Sequence, residues 1–396
     1  MNLYPPLVLR SDSIDLKGET TSLGTPLTFM LLHSRKKCLK QPFPPHLTQE
    51  RTRPVNTPDN YDPPFPAYTA RLPEHTKDIV MAIIGAQYSS AAENDGVAMS
   101  KVLEFMKNPS DATAQPSFRE LVSVTDPNGS YNIAVIAYWP CRESYERWSV
   151  ASTFTDWWEG LVVEDEHHGW FLEVFSPTID RFETIISGNE VPEGIAHMRE
   201  RVSGPLREHV YWGSMRDRLP ISQTDAITGE SINEAVHQVG GNTLQRRVRV
   251  PGKHNLAIIR SGQDWSNTRP EERKLYIETI HPALVMGMDF LRDKGRDIGC
   301  YSCRLMDVVD TDTFKADKDR TFGLAYFDDL GSLEKWSKEH QTHTAIFVGF
   351  LQYAKKLENN ISLRLFHEVL VLKPEQQFFE YLGCHEKTGM LASLSS

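Results

Sequence analysis

Two histidines stand inside otherwise apolar stripes, close together in the chain. His343, Ile346, Phe347, Phe350, Tyr353, Ala354 and Leu357 recur at three- and four-residue steps, so His343 opens the apolar face of a helix. Leu363, Leu365, His367, Val369 and Val371 share one face of a strand at period two. An imidazole among aliphatic neighbours needs a hydrogen-bond partner, a metal, or a proton to move. Either one alone is compatible with a satisfied core histidine. Two on adjacent elements point to a shared site, and periodicity leaves its chemistry open.

The elements that position them come from a repeated unit. Ser332 to Leu372 reads as helix, short break, helix, strand. Before it come a strand from Leu256 to Trp265, a helix over Glu271 to Asp293 interrupted by Pro282, and strands at 299–309 and 321–327. The same order is predicted earlier: a strand at 78–88, a helix at 91–107, a strand at 131–140, a tryptophan-rich helix at 143–161 and a strand at 169–177. Ala137-Tyr138-Trp139 with Trp148 answers Ala325-Tyr326-Phe327 with Trp336, and Phe171-Leu172-Glu173-Val174 answers Phe366-His367-Glu368-Val369. The expected fold is α+β: duplicated ferredoxin-like halves with antiparallel sheets. The copies differ at the candidate site. Thr155 and Leu172 answer His343 and His367, and an ungapped alignment sets Ala86 opposite Ser261. A site in one copy of a doubled scaffold explains that asymmetry.

The expected organisation is an extension at 1–47, a proline-rich arm at 48–76, a first half at 77–210, a connecting segment at 211–254 and a second half at 255–396. The arm is extended by composition, with Tyr61, Phe65 and Tyr68 as anchors. The connecting segment opens on YWGSMRDRLPISQTD, where Arg216 and Arg218 either pair with carboxylates or supply a cationic donor to the site.

A chain of 396 residues holds two or three compact units. Lys plus Arg total 43 against 53 Asp plus Glu, a formal charge of −10, which argues against nucleic acid as a partner; the basic cluster Arg35-Lys36-Lys37 with Lys40 is too short to reverse that. Five cysteines, an odd and small number, suit a reducing, cytoplasmic compartment, and the CxxC at Cys300 to Cys303 reads as packing in a strand. No apolar run is long enough to span a membrane, and Leu27 to His33 is too short for a secretory signal. His167-His168 in VEDEHH reads as solvated, and His340 shares a helix turn with His343 but reads equally as a surface neighbour.

Seven stretches then resemble the aldoxime dehydratase family, including phenylacetaldoxime dehydratases: YWGSMRDRLPISQTD, IRSGQDW from Ile259, GMDFLR from Gly287, GCYS from Gly299, HQTH from His340, LRLFHEV from Leu363 and CHEKTGM from Cys384. The similarity runs in order from about Pro54 to Leu391. It implies a haem b enzyme with ferrous iron, a dimeric α+β barrel, a homodimer, and dehydration of an aldoxime to a nitrile. It also implies His343 as the iron ligand, His367 as distal acid and base, Ser261 and Arg218 in the site, and Glu183 behind them. Gln341 stands where relatives often have proline. The rival readings are a haem peroxidase on the same barrel, or a haem carrier or sensor with no use for Ser261, Arg218 and His367.

Overall fold

The computed structural model describes residues 42–107, 111–232, 242–316 and 318–394. The first 41 residues of the expected extension, with the Arg35–Lys40 cluster, Cys38 and the Leu27–His33 run, lie outside the described residues.

A short strand β1 (Ala70–Arg71) precedes β2 (Val80–Tyr88), α1 (Val97–Lys107), β3 (Phe118–Thr125), β4 (Tyr131–Trp139), α2 (Arg142–Ala151), α3 (Phe154–Gly160) and β5 (Gly169–Phe175). Next come β6 (Phe182–Ile186), β7 (Arg201–Val202), α4 (Ser214–Arg218) and β8 (Arg247–Val250). The chain then runs through β9 (Leu256–Asp264), α5 (Pro270–Leu275), α6 (His281–Lys294), β10 (Cys300–Val309), β11 (Arg320–Phe327), α7 (Leu330–Glu339), α8 (Gln341–Lys356), β12 (Arg364–Leu372) and β13 (Gln377–Leu382). β1 and β7 pair separately; the other eleven strands make one large curled antiparallel sheet in the order β6-β12-β9-β11-β10-β3-β4-β2-β5-β13-β8.

Its strands are apolar on both faces because both faces are covered. In β2, Met81 and Ile83 enter a core shared by both ends of the sheet, while Val80, Ala82 and Ile84 pack with Val102, Trp139 and Trp148 beneath helices. A corresponding helix-covered core in the second half joins Leu291, Leu333, Trp336, Val369 and Val371.

The strand order β5-β2-β4-β3 is matched by β12-β9-β11-β10, fourth-first-third-second in each set, and the sets join through β3 and β10. The next strand of each set crosses to the other: β6 lies beside β12, and β13 beside β5. A Cβ added at Gly85 would lie 2.1 Å from the Phe171 ring, and one at Gly262 2.1 Å from the Phe366 ring. Those two seats fix the register of the first strand against the fourth. They also correct the ungapped alignment: Ser261 faces His367, but Leu172 faces Ile84, not Ala86.

Other expectations shift locally. The helix expected at 143–161 breaks at Thr153, whose φ of 63° is left-handed. The Pro282 interruption is a single wide π turn, Tyr276–Ile280, with Pro282 in the first turn of α6, where it needs no N–H partner. Cys300 and Cys303 are buried in β10, where burial pushes both thiols up. His168 is not solvated: its ring stacks on Tyr88 at 4.7 Å. β3, β6, β8 and β13 were not foreseen. No helix among the described residues is long and apolar enough to cross a membrane.

Candidate functional site

The two β12 ladders bring most of the site together. His367 pairs with Ser261 on β9 and with Ile185 on β6, and Val369 pairs with Glu183. Directly opposed residues share a face, and so do residues two apart. Ser261, His367 and Glu183 therefore lie on the face that carries Val369 and Val371 toward the helices.

Arg218, the last residue of α4, closes the group. Its Nε donates to Glu183 Oε2 at 2.7 Å and its Nη2 to Oε1 at 2.8 Å, a two-pronged ion pair with both side chains at most 2% exposed. Nη1 donates to the Glu208 carbonyl at 2.6 Å. Nη2 also lies 2.8 Å from His367 Nε2, which is 3.3 Å from Glu183 Oε1. A guanidinium only donates, so Nε2 accepts from Arg218 when the imidazole carries its proton on Nδ1, and donates to Glu183 when Nε2 is protonated. Nε2 thus has a partner in every protonation state, and Nδ1 bonds to no described protein atom. Burial raises the proton affinity of Glu183, but Arg218 and His367 outweigh it and hold the carboxyl below its usual range. The Ser261 hydroxyl makes no hydrogen bond among the described residues.

His343 approaches on α8. That helix begins at His340, whose Nδ1 accepts from the Thr342 N–H at 3.4 Å and whose ring stacks on Phe290 of α6 at 3.9 Å. His340 is therefore the cap that starts the helix, and not merely a surface neighbour. The His343 ring lies 4.8 Å from Trp336 and 6.2 Å from Trp212, and Trp212 lies 5.3 Å from Phe347. Burial drives the His343 imidazole down to about 4, against the pull of the nearby Ser337 backbone; the charge of His367 lowers it further. The two histidines thus share one electrostatic neighbourhood.

His343 is neutral near pH 7 and, among the described residues, nothing makes a well-formed hydrogen bond to its buried Nδ1. Ile346, Phe347 and Phe350 stay half-exposed along the same face of α8, although their spacing marks them for burial. A neutral nitrogen ligand beside a broad apolar wall is the donor set a haem takes.

Fold and donor set together fit a haem-type enzyme. The sequence profile of the haem-containing dehydratases matches residues 82–390. An aliphatic aldoxime dehydratase from Pseudomonas chlororaphis is 38% identical over 348 residues, covering 87% of this chain and 96% of that one. A phenylacetaldoxime dehydratase from Bacillus sp. (strain OxB-1) is 30% identical, covering 85% and 93%. A crystal structure of an aldoxime dehydratase in complex with butyraldoxime superposes with a TM-score of 0.82 at 35% identity, covering 89% of this chain and 96% of that one. The chain belongs to the haem-containing dehydratases.

Arg216, the other candidate, turns away and makes a two-pronged pair with Glu334 at 2.8–3.2 Å. Sequence reasoning missed Glu208, whose carbonyl holds Arg218, and Asp217, which precedes Arg218 in α4. His385 bonds Asp126 at 2.6 Å and fastens the C-terminal stretch.

Proposed function

We propose that this protein is an aldoxime dehydratase, converting R–CH=N–OH to R–C≡N and water, in which His343 would hold the iron of haem b. The observation that carries the reading is the Arg218–Glu183–His367 triad, whose histidine lies on the strand that follows the helix of His343. When bound, the haem would supply a ferrous iron able to activate the N–O bond of the oxime.

The protein handles the protons. Hydroxide is a poor leaving group, so the departing oxygen is protonated as the bond breaks. His367 in its imidazolium form gives the Nδ1 proton to that oxygen, and water leaves. The remaining tautomer keeps its proton on Nε2, held by Glu183 Oε1, so Nδ1 is a base that removes the proton on carbon. One proton given and one taken return His367 to its starting state. Ser261, directly across the ladder, hydrogen-bonds the oxime hydroxyl and aims it at His367. Arg218 fixes the Glu183 carboxylate and so the tilt of the imidazole.

The matched strand orders and the crossing of β6 and β13 support reading the fold as duplicated ferredoxin-like halves that form a dimeric α+β barrel. The division at residues 48, 77, 211 and 255, a homodimer and a cytoplasmic location complete the proposal.

The test is an anaerobic assay of dithionite-reduced, haem-loaded protein against phenylacetaldoxime and a straight-chain aldoxime, with nitrile measured directly. Nitrile formation without net oxidant is expected. Turnover only with peroxide would favour a peroxidase and overturn the reading.

A further inference from the structure

Asp217, beside Arg218, is a buried carboxylate at 2% exposure with no cation at ion-pair distance among the described residues. It is satisfied instead by the Asn56 N–H at 2.9 and 3.0 Å, Asn56 Nδ2 at 3.1 Å, Thr57 Oγ1 at 3.0 Å and the Tyr211 hydroxyl at 2.8 Å. All but Tyr211 belong to the proline-rich arm. Gly213 makes the seat: its φ is +92°, and a Cβ there would lie 2.6 Å from Asn56 Cγ. The arm also grips both flanks of Arg218. Tyr61 donates to the His209 carbonyl at 2.6 Å, and the Gln223 carbonyl accepts from Thr52 and Arg53 N–H at 3.0 and 3.2 Å.

A buried carboxylate is costly unless fully hydrogen-bonded, and all but one of the bonds that satisfy Asp217 come from the arm. α4 has five residues and cannot hold its own geometry. We propose that Asn56 and Thr57 are positioning residues: through Asp217 they fix α4, and so aim Arg218 at Glu183 and His367. The arm precedes residue 82, where the family profile begins to match. This inference rests on the role given to Arg218 and His367 above.

The test uses the full-length holoprotein carrying Asn56→Ala with Thr57→Val, assayed with phenylacetaldoxime, with haem content read from the Soret band. Misplacing a catalytic group by about 1 Å costs about 10²-fold. We expect kcat per haem to fall about tenfold or more with KM within about twofold, because chemistry and not binding is misaligned. Thr57→Ser, which keeps the hydroxyl, should restore most of the Thr57 contribution, and Asp217→Asn should reproduce the loss. In an Arg218→Lys background, which keeps the charge but not the fork, the arm changes should add nothing. Wild-type kcat per haem in the arm variant, or the same fractional loss in the Arg218→Lys background, would overturn the proposal. Full turnover of Arg218→Lys would instead overturn the role of Arg218 itself.

Discussion

His367 can change protonation without losing a partner, because Arg218 and Glu183 both face Nε2. Replacing Glu183 with Gln leaves the tautomer less firmly held and the Arg218 guanidinium buried without its counter-charge. Glu183→Gln is expected to lower kcat about 10- to 100-fold while the Soret band survives; unchanged kcat would remove Glu183 from the mechanism. Ser261→Ala should likewise spare haem and cost about tenfold or more in kcat/KM with aldoxime, the size of a lost hydrogen bond to a reacting group. At this scale the sequence was legible where a polar residue interrupts a periodic apolar face, as at His343 and His367. Glu183 breaks no such pattern. It lies in the short run FETII, and pairing with β12, nearly two hundred residues away, gives it meaning. Its place was available only through resemblance.

Elements carry the site by their ends. α8 starts at His340, so the cap sets the first turn that holds His343. His340→Ala should cost about 0.5–2 kcal/mol of stability and speed loss of haem to an apo-globin acceptor; an unchanged rate would separate the cap from the ligand. The segment before α4 adds a pH effect. His209 is 4% exposed and its Nε2 is buried without a partner among the described residues. Burial, aided by the Arg218 charge, pushes its imidazole down to about 4 from an ordinary 6.5. The unfolded chain then binds the extra proton first, so this contribution is complete above pH about 6.5 and is lost as pH falls toward 4. Melting of His209→Leu should depend less on pH across that window than wild type; an equal slope would refute the assignment. Helices were legible from their periodicity, whereas the cap and the break at Thr153 are local hydrogen-bond and φ choices that periodicity does not encode.

Across the whole molecule, the two sets of strands exchange their buried polar bonds. Tyr138 of β4 donates to Glu368 of β12 at 2.8 Å, and Tyr326 of β11 donates to Glu173 of β5 at 2.5 Å. Each tyrosine satisfies the carboxylate of the opposite set, so neither set is complete alone. Tyr138→Phe should destabilise the whole sheet by about 1–3 kcal/mol in a single transition, and a separate early transition of one half would contradict that coupling. The repeated Ala-Tyr-aromatic and Phe-x-Glu-Val pieces fall at matching places in the two strand orders. The crossing of β6 and β13 was not legible in the sequence, because short strands at a sheet edge take their place from partners distant in sequence. The gap that moves Ser261 opposite Ile84 depends on Gly262 seated under Phe366, a fact of packing.

The proposed mechanism divides its labour between two imidazoles, His343 and His367. The most direct measurement compares His343→Ala and His367→Ala for haem content and for nitrile formed per haem from phenylacetaldoxime under anaerobic, reducing conditions. His367→Ala is expected to keep its Soret band and lose about 10²–10⁴-fold in turnover, and His343→Ala to lose the haem. Full haem occupancy in His343→Ala, or normal turnover in His367→Ala, would contradict it.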